Sequence, residues 1–299
     1  MTSEPGGAAT GVFRDYDQAE LDKQLNLRAR WPDHPQFFER WARDSAATRQ
    51  RLSGHLDLAY GDSAAEKLDI FPAGSGEAAP LLAFIHGGYW QALDKGDYSY
   101  LAPPFVEAGI AFASLNYGLA PDCKIGSMID QVRRALAWLY RNAADYGIDA
   151  SRIVVAGHSA GGHLAAMALS TDWPAFDPAL PADLLAGGCS ISGIYDLEPV
   201  RLSYHNQLLG IGPEEAGPWS PLLNLPDRAA PLLLAVGSEE TGEFLRQQAE
   251  YAAACQGRGL ALDEVGMEGL HHFTAVDALG DPTQGLYTAV RQLLIRGLT

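Results

Sequence analysis

The chain has 299 residues, 47% hydrophobic and 19% charged, enough to bury the core of one large domain. Its 21 basic and 37 acidic residues give a formal charge of −16. So acidic a surface repels phosphate backbones and anionic membranes, which argues against nucleic-acid or lipid-surface binding. Three scattered cysteines, Cys123, Cys189 and Cys255, form no CxxC or Cys/His spacing. Reduced, mostly buried thiols are expected rather than a disulfide framework or a structural zinc site.

Residues 1–10 are small, polar and glycine-rich, without the basic and apolar regions of a signal peptide. A disordered tail is expected over 1–14. No apolar run approaches a membrane span, and a cytoplasmic location is expected. Residues 15–51 are polar and aromatic, broken by Trp31-Pro32 into two helical pieces. Phe37, Phe38, Trp41 and Ala42 form an apolar stripe at helical spacing, read as packing. The segment is expected to lie as a helical cap over the rest of a single domain spanning 15–299.

Beyond residue 55, short apolar runs alternate with helical patterns. Strands are expected at 56–60, 67–71, 81–86, 110–116, 152–157, 189–193, 232–236 and 260–265. Helices are expected at 128–144, 160–170, 241–255 and 288–296. The runs at 81–86, 152–157 and 232–236 are continuously apolar, which suits strands covered on both faces of a parallel sheet. The alternation predicts an α/β fold with one mostly parallel, doubly wound sheet of eight strands. Residues 197–228 interrupt it with Pro199, Pro213, Pro218, Pro221 and Pro226, and are expected to shape a pocket.

Gly157-His158-Ser159-Ala160-Gly161 fits G-x-S-x-G between a β-branched run and a good helix former. Strand, sharp turn and helix are what a nucleophile elbow requires, so Ser159 is the candidate nucleophile of an α/β-hydrolase fold. The run 81–85 leads into His86-Gly87-Gly88-Tyr89-Trp90. Acyl transfer needs amide donors for an oxyanion, and Gly87, Gly88 and Ala160 are the candidates. His86 is expected to pin the loop. Tyr89 and Trp90 are candidates for the substrate pocket, with plain packing as the equal alternative.

The chain order of this fold is nucleophile, acid, histidine, and only His271 and His272 follow the last core strand. Order alone leaves the two open. Gly237-Ser238-Glu239-Glu240-Thr241 offers two acids after the strand at 232–236, with Glu240 preferred to Glu239, and Asp196 is a rival one strand earlier.

These residues give the chain a resemblance to the kynurenine formamidases, α/β-hydrolases close to the hormone-sensitive-lipase-like esterases. Its markers include the run from His86 to Gln91, Asn116-Tyr117-Gly118-Leu119-Ala120-Pro121, the run from Gly157 to Leu164, and Ser192-Gly193-Ile194-Tyr195-Asp196-Leu197-Glu198-Pro199. In that family the acid precedes an E-F-x-R-Q run and the base sits in an H-F pair. The resemblance therefore implies Glu240, ahead of Glu243-Phe244-Leu245-Arg246-Gln247, as acid and His272, before Phe273, as base. Glu240 stands where the animal enzymes have Asp, and Gly162 where they have Ala. The expected activity is serine hydrolysis of a small amide or ester through an acyl-enzyme, of the arylformamidase type, with carboxylesterase as the alternative. The expected partner is that small-molecule substrate, and a homodimer is the one assembly considered. No P-loop, complete dinucleotide fingerprint, H-E-x-x-H or calcium-loop pattern occurs, so neither a metal nor an organic cofactor is expected.

Overall fold

A computed structural model describes residues 11–74, 76 and 78–296. Three helices come first: α1 (Gln18–Leu25), α2 (Leu27–Arg30) and α3 (Pro35–Arg51). The body then runs β1 (His55–Ala59), β2 (Lys67–Phe71), β3 (Ala79–Ile85), α4 (Ala102–Glu107), β4 (Ala111–Leu115), α5 (Ile125–Asn142), β5 (Ile148–His158), α6 (Ala160–Leu169), α7 (Trp173–Phe176) and β6 (Gly187–Ile191). It ends with the short helices α8 (Glu198–Leu202), α9 (Asn206–Leu209) and α10 (Pro213–Ala216), then β7 (Leu232–Gly237), α11 (Gly242–Gly257), β8 (Leu262–Met267), α12 (His272–Ala275) and α13 (Gly285–Arg296).

All eight strands join one sheet in the order β1-β2-β4-β3-β5-β6-β7-β8. β1 and β2 enter antiparallel, and every pairing from β4–β3 onward is parallel. β3, β4 and β6 are buried along their whole length, as helices on both faces require of continuously apolar strands. The parallel order places the C-terminal ends of β3, β5, β6 and β7 side by side, and ligands of open α/β sheets bind at that edge.

Two differences from the sequence reading stand out. β5 starts at Ile148, four residues early, across an irregularity in its pairing with β3 where Asp149 and Arg152 form an ion pair at 2.7 Å. A 3-10 helix, Lys95–Leu101, and α4 fill the β3–β4 connection, where polar residues and Pro103-Pro104 hid the helical pattern. Of the tail expected over 1–14, residues 1–10 lie outside the described residues, but 11–14 are tied down. Val12 donates its amide to Tyr16 O at 2.7 Å, and Arg14 makes two bonds to the Glu250 carboxylate.

The cap is fastened to the body through Asp277. Its carboxylate accepts hydrogen bonds from Arg40 and the Trp41 indole, both on α3, and from the Tyr100 hydroxyl of the body. Asp277→Ala strands the buried Trp41 donor and should destabilise the protein by about 2–3 kcal/mol. We expect a lower thermal midpoint with faster proteolysis inside 18–51; an unchanged midpoint would show that the anchor is not Asp277.

Candidate active site

β5 ends at His158, and Ser159 turns the chain into α6 at φ 58°, ψ −119°. An L-residue enters that region only under constraint. The constraint is close packing on both sides. A Cβ on Gly157 would lie 2.1 Å from Gly161 O, and one on Gly161 2.1 Å from Ile85 O. The turn therefore closes only with glycine at both positions. It leaves Ser159 2% exposed, on the wall of a cavity of about 490 Å³.

His272 lines the same cavity from the first position of α12, which follows β8. Its Nδ1 lies 2.8 Å from Glu240 Oε2, in the loop after β7, and both residues are buried. The other carboxylate oxygen, Oε1, accepts the hydroxyl of Ser192. The histidine backbone is pinned as well, since the His158 ring donates from Nε2 to His272 O at 2.9 Å. Phe244 packs edge-on to the His272 ring at 4.8 Å.

The rival residues lie elsewhere. His271 points the opposite way from its neighbour, stacking on Trp31 of the cap at 5.0 Å, and its Nδ1 accepts the Phe273 amide at the start of α12. Asp196 accepts the Glu198 amide at the start of α8 and faces Arg246 at 3.9 Å. The Glu239 side chain is exposed.

The loop after β3 holds a run of left-handed residues: Gly88 at φ 106°, Tyr89 at 51° and Trp90 at 57°. Gly88 admits no side chain, because a Cβ would fall 2.1 Å from Ala92 O. Gly87 packs on Ser159, with its Cβ position 3.1 Å from Ser159 Cβ. No described hydrogen bond uses the amides of Gly88 or Ala160. His86 is fully buried, held between Gly87 O at 2.8 Å and Asn116 Oδ1 at 3.1 Å. The buried Lys95 below donates its amide to that same Asn116 oxygen, and its ammonium meets Asp69 at 2.7 Å. Tyr89 lines the cavity, donates to Leu25 O at 2.8 Å and stacks on His205 at 3.7 Å.

Trp90 does not line the cavity. It is fully buried, edge-on to His163 at 5.1 Å, and its carbonyl accepts the Ala120 amide. Its side chain packs beneath the loop, so the expectation of a pocket residue is corrected to packing for Trp90.

The remaining wall comes from two places the motifs did not mark. The cap supplies Asn26, Leu27, Arg28, Phe38 and Trp41; the segment between β6 and β7 supplies Tyr204, His205 and Leu208. Phe38 and Trp41 thus both pack and line the cavity, where the sequence reading gave their stripe packing alone. Ser192 opens the Ser192–Pro199 run but drew no site role from the sequence; its contact with Glu240 follows from the pairing of β6 with β7. Among the described residues, no cluster of three or more His, Cys, Asp or Glu could hold a metal ion, and no helix is long and apolar enough to cross a membrane.

A family model described as BD-FAE matches residues 68–185. The kynurenine formamidase of Danio rerio is 34% identical over 232 residues, covering 76% of this chain and 77% of the fish protein. This chain belongs to the kynurenine formamidase family. Esterase LipQ of Mycobacterium tuberculosis is 38% identical over 152 residues, 47% of this chain and 35% of LipQ. Among solved structures, a Silicibacter protein provisionally termed a thioesterase superposes with TM-score 0.79 at 30% identity, over 91% of this chain and 99% of its own. The family member described here is a hydrolase of the arylformamidase or carboxylesterase type on an α/β-hydrolase fold.

Two buried histidines around the site make the fold acid-sensitive. Burial pushes His163, which donates to Trp219 O, and His205, stacked under Tyr89, down to about 4. Between the ordinary histidine value and that figure the unfolded chain binds protons that the folded chain refuses, so stability falls as pH falls. Each contributes on the order of 3 kcal/mol across that interval. We expect a thermal midpoint that is flat above about pH 7 and drops steadily from pH 6.5 to 4. A midpoint constant down to pH 4.5 would mean these rings are not held neutral.

Proposed function

We propose that this hydrolase cleaves aryl formamides of the N-formylkynurenine kind through a covalent intermediate on Ser159. The observation that carries the reading is that Ser159 and His272 line one cavity, walled by Phe38, Trp41, Tyr89, Tyr98, Tyr204 and Phe273. A planar aryl leaving group buries well against such rings, while the formyl carbon is small enough to approach a nucleophile that is nearly covered.

In the proposed reaction, His272 Nε2 takes the Ser159 proton as Oγ attacks the formyl carbon. Glu240 accepts from Nδ1, which fixes the tautomer and stabilises the imidazolium. The amides of Gly87, Gly88 and Ala160 receive the oxyanion at the start of α6. The C–N bond then breaks, and the arylamine leaves with the proton held by His272. A water gives its proton to the same imidazole and attacks the formyl-enzyme; the bond to Ser159 Oγ breaks, His272 returns the proton to that oxygen, and formate leaves. Esters fit the same steps with an alcohol as leaving group. The three free thiols fit a reducing, cytoplasmic setting.

Ser192 is assigned a positioning role. Glu240 is one methylene longer than aspartate, and its free oxygen is fixed by the Ser192 hydroxyl. Ser159→Ala and Glu240→Gln should each lower kcat at least about 10³-fold, and Ser192→Ala about tenfold. The Ser192→Ala loss should vanish in the Glu240→Gln background, which a merely structural role would not produce. Steady-state rates on N-formylkynurenine, phenyl acetate and p-nitrophenyl butyrate test the substrate. Efficient ester turnover beside negligible deformylation would replace the formamidase reading with the esterase one.

A further inference from the structure

We infer that Arg28 forms an anion subsite at this cavity, so that the enzyme selects acyl compounds whose leaving portion carries a carboxylate. The inference rests on the proposed hydrolysis at Ser159 and names the substrate feature that the rest of the wall does not recognise. Arg28 is the one formally charged side chain on that wall. Burial keeps the wall imidazoles of His158 and His205 neutral. Apart from His272, everything else facing the space is aromatic, aliphatic, amide or hydroxyl.

Three observations give Arg28 this role rather than a purely structural one. Among the described residues its guanidinium makes no ion pair and no hydrogen bond, in a chain with sixteen surplus negative charges. It sits 5.7 Å over the ring of Phe38, itself a wall residue packed edge-on against Phe273, so the aromatic face supports the cation over the cavity. Asp22 accepts the Tyr204 backbone amide at 2.9 Å and the Gln18 side-chain amide at 3.1 Å, both at Oδ1, and forms no ion pair with Arg28. The field of so acidic a chain repels anions in general. Accepting one at the active site therefore requires a local cation, and a guanidinium offers a carboxylate two parallel donors.

The test measures kcat/KM of the full chain on a matched pair, 2-formamidobenzoate and formanilide, with p-nitrophenyl butyrate as a neutral reference. The wild type should prefer the carboxylate-bearing member, and the preference should shrink as sodium chloride rises. Arg28→Ala should reduce the anionic-to-neutral ratio by about 10- to 100-fold, chiefly through KM, and Arg28→Lys by less. A ratio that stays the same in Arg28→Ala, or no preference in a wild type that turns over the neutral substrates, overturns the subsite while the hydrolase reading stands. Absence of Ser159-dependent turnover on all three substrates overturns both. Thermal midpoints of the variants separate lost packing on Phe38 from lost recognition, since packing alone would lower the midpoint and leave the ratio unmoved.

Discussion

Ser159 occupies a left-handed conformation that costs on the order of 1–3 kcal/mol, and the fold supplies the constraint that keeps it there. β3 and β5 pair in parallel up to Ile85 and Gly157, bringing the Ile85 carbonyl against Gly161. The Gly161 carbonyl in turn faces Gly157. The turn is thus wedged between two adjacent strand ends and the first turn of α6. Ser159 cannot relax without moving the middle of the sheet.

The other parts of the site depend on the same edge. The sheet order places the loops after β5, β6 and β7 in sequence, and these carry Ser159, Ser192 and Glu240. The loop after β8 brings His272 back over them. The cap closes the space from above through aromatic contacts rather than through strands. Tyr89 donates to Leu25 O and stacks on His205, joining the loop after β3, the cap and the segment before β7 in one contact. A cavity built from three separated stretches of chain can change its wall while the strand ends stay fixed, which lets one fold host different substrates.

The sheet was legible in the sequence because double burial leaves unbroken apolar runs, and every one of the eight strands lies where such a run or an alternating one was read. The elbow was legible because its glycines are required by contacts within a few residues. What escaped depends on long-range packing. Nothing local shows that Trp90 turns inward while Tyr89, its neighbour, turns toward the cavity. Nothing local separates His271 from His272 either. The distinction comes from Trp31 on one side and Glu240 on the other, some 240 and 30 residues away in sequence. The cap read as packing for the same reason, since Asn26 and Arg28 acquire their place only when α2 lies across the mouth.

The most direct measurement is covalent labelling with a fluorophosphonate, which reacts with an activated serine hydroxyl, followed by intact mass and peptide mapping. The account predicts one adduct per chain, located at Ser159, forming in step with complete loss of hydrolysis and greatly slowed by Glu240→Gln. A fully inactivated protein carrying its label at any other residue, or unimpaired hydrolysis by a protein fully labelled at Ser159, would contradict it.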